Sequence, residues 1–232
     1  MIDFFVEVGM GGFGLFEVMK NKGLLSPSGR GKIKYLWAWL LSMGVFLLCE
    51  AFIDEADCYS VESPLDGLLP FSEVFVVFYV LWYFLILGSL IWFALFSGRG
   101  FGNFLKYMTV CQVAAIVVFL LFPNKQELRP EVLPRENIFA SLVELIHSVD
   151  TNTNVCPSLH VCYSIALASV WHREARRDTT RVIYKVLAVL VSISTVMIKQ
   201  HSVVDIFVAL PVCAIAEAVT YHGSFESRFC GE

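Results

Sequence analysis

Residues 71–96 read FSEVFVVFYVLWYFLILGSLIWFALF, a run in which Glu73 is the single formally charged side chain. A helix needs about 20 mostly apolar residues to cross the hydrocarbon core of a bilayer. A helix apolar on every face over such a length belongs in lipid or deep inside protein, not at a water-facing surface. This stretch therefore predicts a membrane span, and the chain repeats the pattern on both sides of it. Further apolar runs lie near Ile33–Ile53, Phe104–Phe122, Val182–Ile198 and Val203–Tyr221. A shorter run from Pro157 to about Trp171 carries Ser158, His160 and Ser164 and scores less well by hydropathy. The predicted fold is all-α, a polytopic membrane helix bundle with about six transmembrane helices.

Composition agrees. The chain has 232 residues, 57% of them hydrophobic and only 16% charged, against roughly 45–50% and about 25% for ordinary soluble domains. Net charge is −4 with histidine neutral, which gives no case for a nucleic-acid partner. The seven cysteines are odd in number and form no CxxC pair, so neither a disulfide framework nor a zinc site is read from them. Cys58 and Cys156 are the two expected on the same outer face, where a bridge between them is open.

Charge is informative in its distribution. Thirteen basic residues (Lys20, Lys22, Arg30, Lys32, Lys34, Arg99, Lys106, Arg173, Arg176, Arg177, Arg181, Lys185 and Arg228) fall to one side of the predicted spans. Four (Lys125, Arg129, Arg135 and Lys199) fall to the other. Lys and Arg favour the cytoplasmic side, so a cell-membrane protein with both termini cytoplasmic is expected. Residues 1–32 read as a cytoplasmic or interfacial segment, with an interfacial helix over the first 24. No basic residue precedes its apolar part, so it does not read as a signal peptide. The six spans occupy 33–222, and 223–232 form a cytoplasmic tail. The long outer connection Pro123–Val155 carries Ile138, Phe139, Leu142, Val143, Leu145 and Ile146 at helical spacing, a short amphipathic helix.

Ionisable groups at membrane depth are costly and mark function by default. Three such elements fall on the predicted outer face. His201 and Asp205, four apart at the start of the last span, share one helix face. A carboxylate on one imidazole nitrogen fixes the tautomer and frees the other for attack. His160 follows Pro157 and Ser158 one turn into the fourth span, where a helix start offers unpaired amides to an anion. Arg129, with Pro130, lies just past the third span and presents a guanidinium fork suited to phosphate. Read singly, each has an ordinary alternative: a helix cap, an interfacial histidine, a solvated loop charge. Their coincidence on one face favours chemistry.

Arg-Pro, then Pro-Ser-x-His opening a span, then His-x-x-x-Asp opening the last span resembles the type 2 phosphatidic acid phosphatase superfamily, membrane relatives of the vanadium haloperoxidases. The resemblance covers about Phe104–Tyr221. It implies that His201 attacks phosphorus, Asp205 orients it, and His160 protonates the leaving group and then activates water. Arg129 and Ser158 would hold phosphate oxygens, and the scheme requires no metal and no cofactor. The chain departs from the family pattern in three places. Phe122 stands where a lysine is usual, seven before Arg129. Leu159 replaces the glycine between Ser158 and His160. Ser194-Thr195 lacks the usual arginine. Lys125 and Lys199 are the candidates to restore the missing charge. The run Lys199–Asp205 also looks like that of inositol phosphotransferases and sphingolipid head-group transferases.

The expectation is a lipid phosphatase acting on a phosphomonoester or pyrophosphate at the extracytoplasmic surface through a phosphohistidine. A lipid head-group phosphotransferase using the same triad, and a non-catalytic lipid-binding or transport protein, are the alternatives. The partners expected are a lipid phosphate substrate and membrane lipids; the oligomeric state is left open. His147 and Asp150 flank the loop before the fourth span and read as solvated polar residues, with a place bordering the pocket as the alternative. Glu50, Glu73 and Glu217 near span ends read as snorkelling or interfacial, and the aromatic runs around Trp82, Tyr83, Trp92 and Phe93 as lipid-facing or interfacial belts.

Overall fold

The computed structural model describes residues 21–24 and 26–221. The expected tail, and all but the last four positions of the expected N-terminal helix, lie outside them. Seven principal helices follow in order: α1 (Ile33–Phe52), α2 (Val76–Phe96), α3 (Gly98–Leu121), α4 (Ile138–Val149), α5 (Leu159–Glu174), α6 (Asp178–Met197) and α7 (Val203–Tyr221). α1, α2, α3, α6 and α7 are long and apolar enough to cross a membrane. Their outward faces carry Leu41, Phe84, Leu120 and Phe207, each more than 60% exposed, the pattern of a surface solvated by lipid rather than water.

The fourth expected span, α5, is only 16 residues long. It sits at the centre of the bundle, packed on α3, α6 and α7. Half of its residues are buried, among them Cys162, Tyr163, Ala166, Leu167 and Trp171. Because protein surrounds it, it tolerates the polar side chains that lowered its hydropathy. α3 begins at Gly98, six residues before the expected Phe104, because Ser97 caps it by accepting from the Gly100 N–H at 2.9 Å. Several polar groups within the bundle are paired across helices. Gln112 Oε1 on α3 accepts from Ser42 Oγ of α1 at 3.0 Å and from Tyr163 Oη of α5 at 2.9 Å.

The connections 53–75, 122–158 and 198–202 meet at one end of the bundle. There Tyr59–Ser60 (β1) pairs in parallel with Asn124–Lys125 (β2), and the Ser72 N–H donates to the Met197 carbonyl at 2.9 Å. The amphipathic helix expected in the long connection is α4. Asn137 caps it, accepting from the Phe139 and Ala140 N–H groups. Its Val143 packs with Val76, Tyr79 and Ile198. Glu73, expected to snorkel, is buried instead and paired at 3.2 Å with Arg135. Cys58 and Cys156 are both free thiols, so no bridge joins them.

Candidate active site

The geometry begins with how α6 ends. Lys199 adopts φ 59°, and the Lys199 and Gln200 N–H groups donate back to the Val196 and Thr195 carbonyls at 3.1 and 2.9 Å. This is a Schellman closure. It reverses the chain and delivers His201 and Ser202 to the start of α7 within two residues. Asp205 Oδ2, fully buried, then accepts from the Ser202 N–H and from His201 Nδ1, each at 3.0 Å. Asp205 thus caps its helix and orients the histidine at once, joining two roles that the sequence presented as alternatives.

His160 comes from the first turn of α5, which Ser158 opens as N-cap. The Ser158 N–H donates to the Asp205 carbonyl at 3.3 Å, tying the starts of α5 and α7 together. The result is a direct contact: His201 Nε2 lies 3.3 Å from His160 Nδ1. With His201 Nδ1–H donating to the carboxylate, Nε2 is the bare nitrogen, so the proton between the rings belongs to His160 Nδ1. A carboxylate and two imidazoles are therefore in series. The His160 ring packs against Trp82 and Tyr79, with centroids 4.4 and 4.5 Å away, and Tyr83 stands edge-on at 6.2 Å. Trp82 thus packs on a site residue, and Trp92 and Phe93 pack on Trp171, so these three are more than a lipid belt, whereas Tyr83 is 49% exposed, in keeping with the lipid-facing expectation. Periodicity could not reveal this, because an apolar helix shows no preferred face.

Beside the histidines is a cavity of about 60 Å³, lined by His160, His201, Glu50, Asp150, Asn154 and Gln200 among others. Three acids that the sequence reading did not count among the site residues serve this end of the bundle. Glu50 lines the cavity. Asp150 does too, its Oδ2 accepting from the Tyr79 hydroxyl at 2.7 Å. Asp66, 1% exposed, accepts from Ser202 Oγ, the Val203 N–H and the Ser63 N–H at 2.7, 2.8 and 2.7 Å. Its local signal was the capping-box pattern Ser63-Pro64-Leu65-Asp66; the long-range contact to Ser202 had none.

The expected cations are occupied elsewhere. Arg129 donates from Nη1 to the His147 carbonyl at 2.9 Å, and from Nη2 to the carbonyls of Asp150 and Thr151 at 2.8 Å and to Gln200 Oε1 at 2.9 Å. Burial lowers its pKa. Lys199 Nζ donates to the Asp66 and Leu69 carbonyls at 2.7 and 2.8 Å, and burial lowers its pKa as well. Lys125 Nζ is paired with Glu127 at 2.8 Å and Glu55 at 3.7 Å, and Glu127 raises its pKa. None of these three lines the cavity, nor does Ser158. The structure brings His160, His201 and Asp205 together. It places Arg129, Lys199 and Lys125 as braces of the surrounding loops, where the expectation had them on phosphate.

A family model described as the PAP2 superfamily matches residues 103–229. No curated protein and no solved structure matches the chain. The matched region contains all three of the residues in series and every helix that carries them.

Proposed function

The chain belongs to the PAP2 superfamily, and we propose that it is a membrane phosphatase of lipid phosphates working through a phosphohistidine on His201. The observation that carries this reading is the 3.3 Å contact between His201 Nε2 and His160 Nδ1, with Asp205 behind His201 at 3.0 Å. Nε2 attacks phosphorus; the P–O bond to the lipid breaks; the leaving oxygen takes the proton from Nδ1 of His160, which enters this step as the imidazolium and leaves it as the neutral ring. His160, now bare, draws a proton from water, whose oxygen displaces His201 and releases phosphate. A phosphorus atom needs the space between the rings, so substrate parts the two nitrogens on entry. Arg129 acts in this scheme by fixing the 147–151 segment and Gln200 around the cavity.

The positive-inside asymmetry supports an extracytoplasmic site: the connections bearing the histidines are opposite the end that carries Arg99, Arg176, Arg177 and Arg181. A phosphotransferase acting on an alcohol acceptor is the second reading, favoured by acids rather than cations lining the cavity. The test is a phosphate-release screen of the detergent-purified protein on phosphatidate, phosphatidylglycerophosphate and polyprenyl pyrophosphate, with and without EDTA, followed by acid-labile label on His201. Turnover that persists in EDTA and a phosphorylated His201 support the scheme. A phosphorylated protein in which His201→Ala still takes the label would overturn it.

A further inference from the structure

The cavity wall holds polar atoms that find no partner in hydrogen-bonding geometry among the described residues. Asn154 is 6% exposed, and neither its Nδ2 nor its Oδ1 has a partner in hydrogen-bonding geometry among the described residues, although its side chain lies close enough to the Glu50 carboxylate to interact with it. Glu50 Oε1 is buried and unpartnered as well, while its Oε2 accepts from Thr151 Oγ1. Both residues line the cavity with His160 and His201. Asn154 is held in place by its backbone: φ is 53°, in the left-handed region, and its N–H donates to the Asn124 carbonyl at 2.6 Å. A buried polar group without a partner is costly, and a strained backbone that holds it there marks a position set by function.

The chemistry of the unpaired set selects its ligand. It comprises one amide donor and two acceptors, whichever way the Asn154 amide is turned. An ammonium supplies donors alone and leaves the amide nitrogen unpaired. A phosphate oxyanion supplies acceptors alone and meets the Glu50 carboxylate. A hydroxyl supplies both. We infer that Glu50 and Asn154 form the subsite for the hydroxyl group that attacks in the second half of the reaction, contributed by an alcohol acceptor or by water. This inference rests on the phosphohistidine reading. In the step it serves, the hydroxyl oxygen bonds to phosphorus, its proton passes to His160 Nδ1, and the P–N bond breaks with its electron pair returning to His201 Nε2. An alcohol yields a phosphate ester, and water yields inorganic phosphate.

The test uses the full chain in detergent, turning over a lipid phosphate in the presence of glycerol or myo-inositol. The readout is the ratio of polyol phosphate to inorganic phosphate, which does not depend on the amount of active protein. Glu50→Gln and Asn154→Ala are expected to lower that ratio roughly tenfold each, the effect of one lost hydrogen bond. An unchanged ratio overturns the subsite. A wild type that makes inorganic phosphate alone identifies water as the hydroxyl. The substitutions then slow phosphohistidine breakdown more than its formation in single turnovers, and equal slowing of both overturns the inference. Absence of any label on His201 defeats the parent reading rather than this one. The subsite is then read by thermal shift: glycerol 3-phosphate stabilises the wild type more than inorganic phosphate does, and both substitutions abolish the difference. No difference in the wild type counts against the subsite.

Discussion

Ser202 Oγ donates to Asp66 Oδ2 at 2.7 Å, joining a loop between α1 and α2 to the first residue before α7. The same carboxylate accepts the Val203 N–H through Oδ1, and the Asp66 carbonyl accepts from Lys199 Nζ. The turn that carries His201 is therefore held from both sides by one residue. Asp66→Ala leaves three donors unpaired, the Ser202 hydroxyl buried and the Ser63 and Val203 N–H groups part-buried, at up to about 1–3 kcal/mol for each that finds no other partner. A fall in Tm accompanied by lost turnover is expected. Ser202→Ala alone costs less, and the double variant costs less than the sum, because both remove one contact. Additive losses in a thermal-melt cycle would show that the contact carries no energy.

Asp205→Asn preserves shape but not the negative charge behind His201. The amide oxygen still accepts from the Ser202 N–H, so the helix start keeps its cap. The His201 Nδ1–H loses its carboxylate. By analogy with the carboxylate of serine-protease triads, kcat is expected to fall by roughly 10³–10⁴-fold, with Tm shifted by no more than a few degrees. A variant with near-normal kcat, measured beside its melting curve, would remove Asp205 from the chemistry.

The spans and the histidine triad were legible in the sequence because each has a local signature. Apolar runs of about 20 residues report membrane helices directly. His201 and Asp205 share a helix face by spacing alone, and Pro157-Ser158 announces a helix start before His160. What was not legible depends on long-range packing. Glu50 sits in the last turn of α1, where a carboxylate normally reaches for the interface, and only the fold turns it to the cavity. Trp82 lies in a run so uniformly apolar that no face is distinguished, and His160, about eighty residues on, selects its role. Arg129 was correctly drawn to this end of the bundle, but backbone carbonyls that no sequence pattern displays took its donors.

Arg129→Lys separates two roles for that side chain. A lysine keeps the charge but has no planar fork to span three carbonyls and Gln200 Oε1. As a brace, Arg129 is expected to lose similar stability as Lys or as Ala, on the order of 1–3 kcal/mol, with kcat falling as the 147–151 segment loosens. As a phosphate ligand, it would lose mainly KM on substitution by Ala, and Lys would restore much of it. Paired melting curves and a KM-against-kcat comparison of the two variants decide between them.

His147 gives the fold a pH dependence of known sign. Burial, with the nearby Arg129 guanidinium, depresses its pKa to about 4, and its Nε2 lies 3.0 Å from the Ile198 carbonyl, to which the neutral ring donates. The unfolded chain takes up this proton near 6.5. Between those values the unfolded state binds more protons than the folded one, so stability falls as pH falls. The contribution is complete above about pH 6.5, declines toward pH 4 and levels off below it. The contact docks α4 against the turn before His201, so the loss is felt at the site itself. His147→Gln keeps a donor near Ile198 but cannot titrate. Plotted against pH, the Tm difference between wild type and this variant is expected to slope only between about 4 and 6.5. Two parallel Tm curves across that window would mean that His147 is not held neutral by the fold.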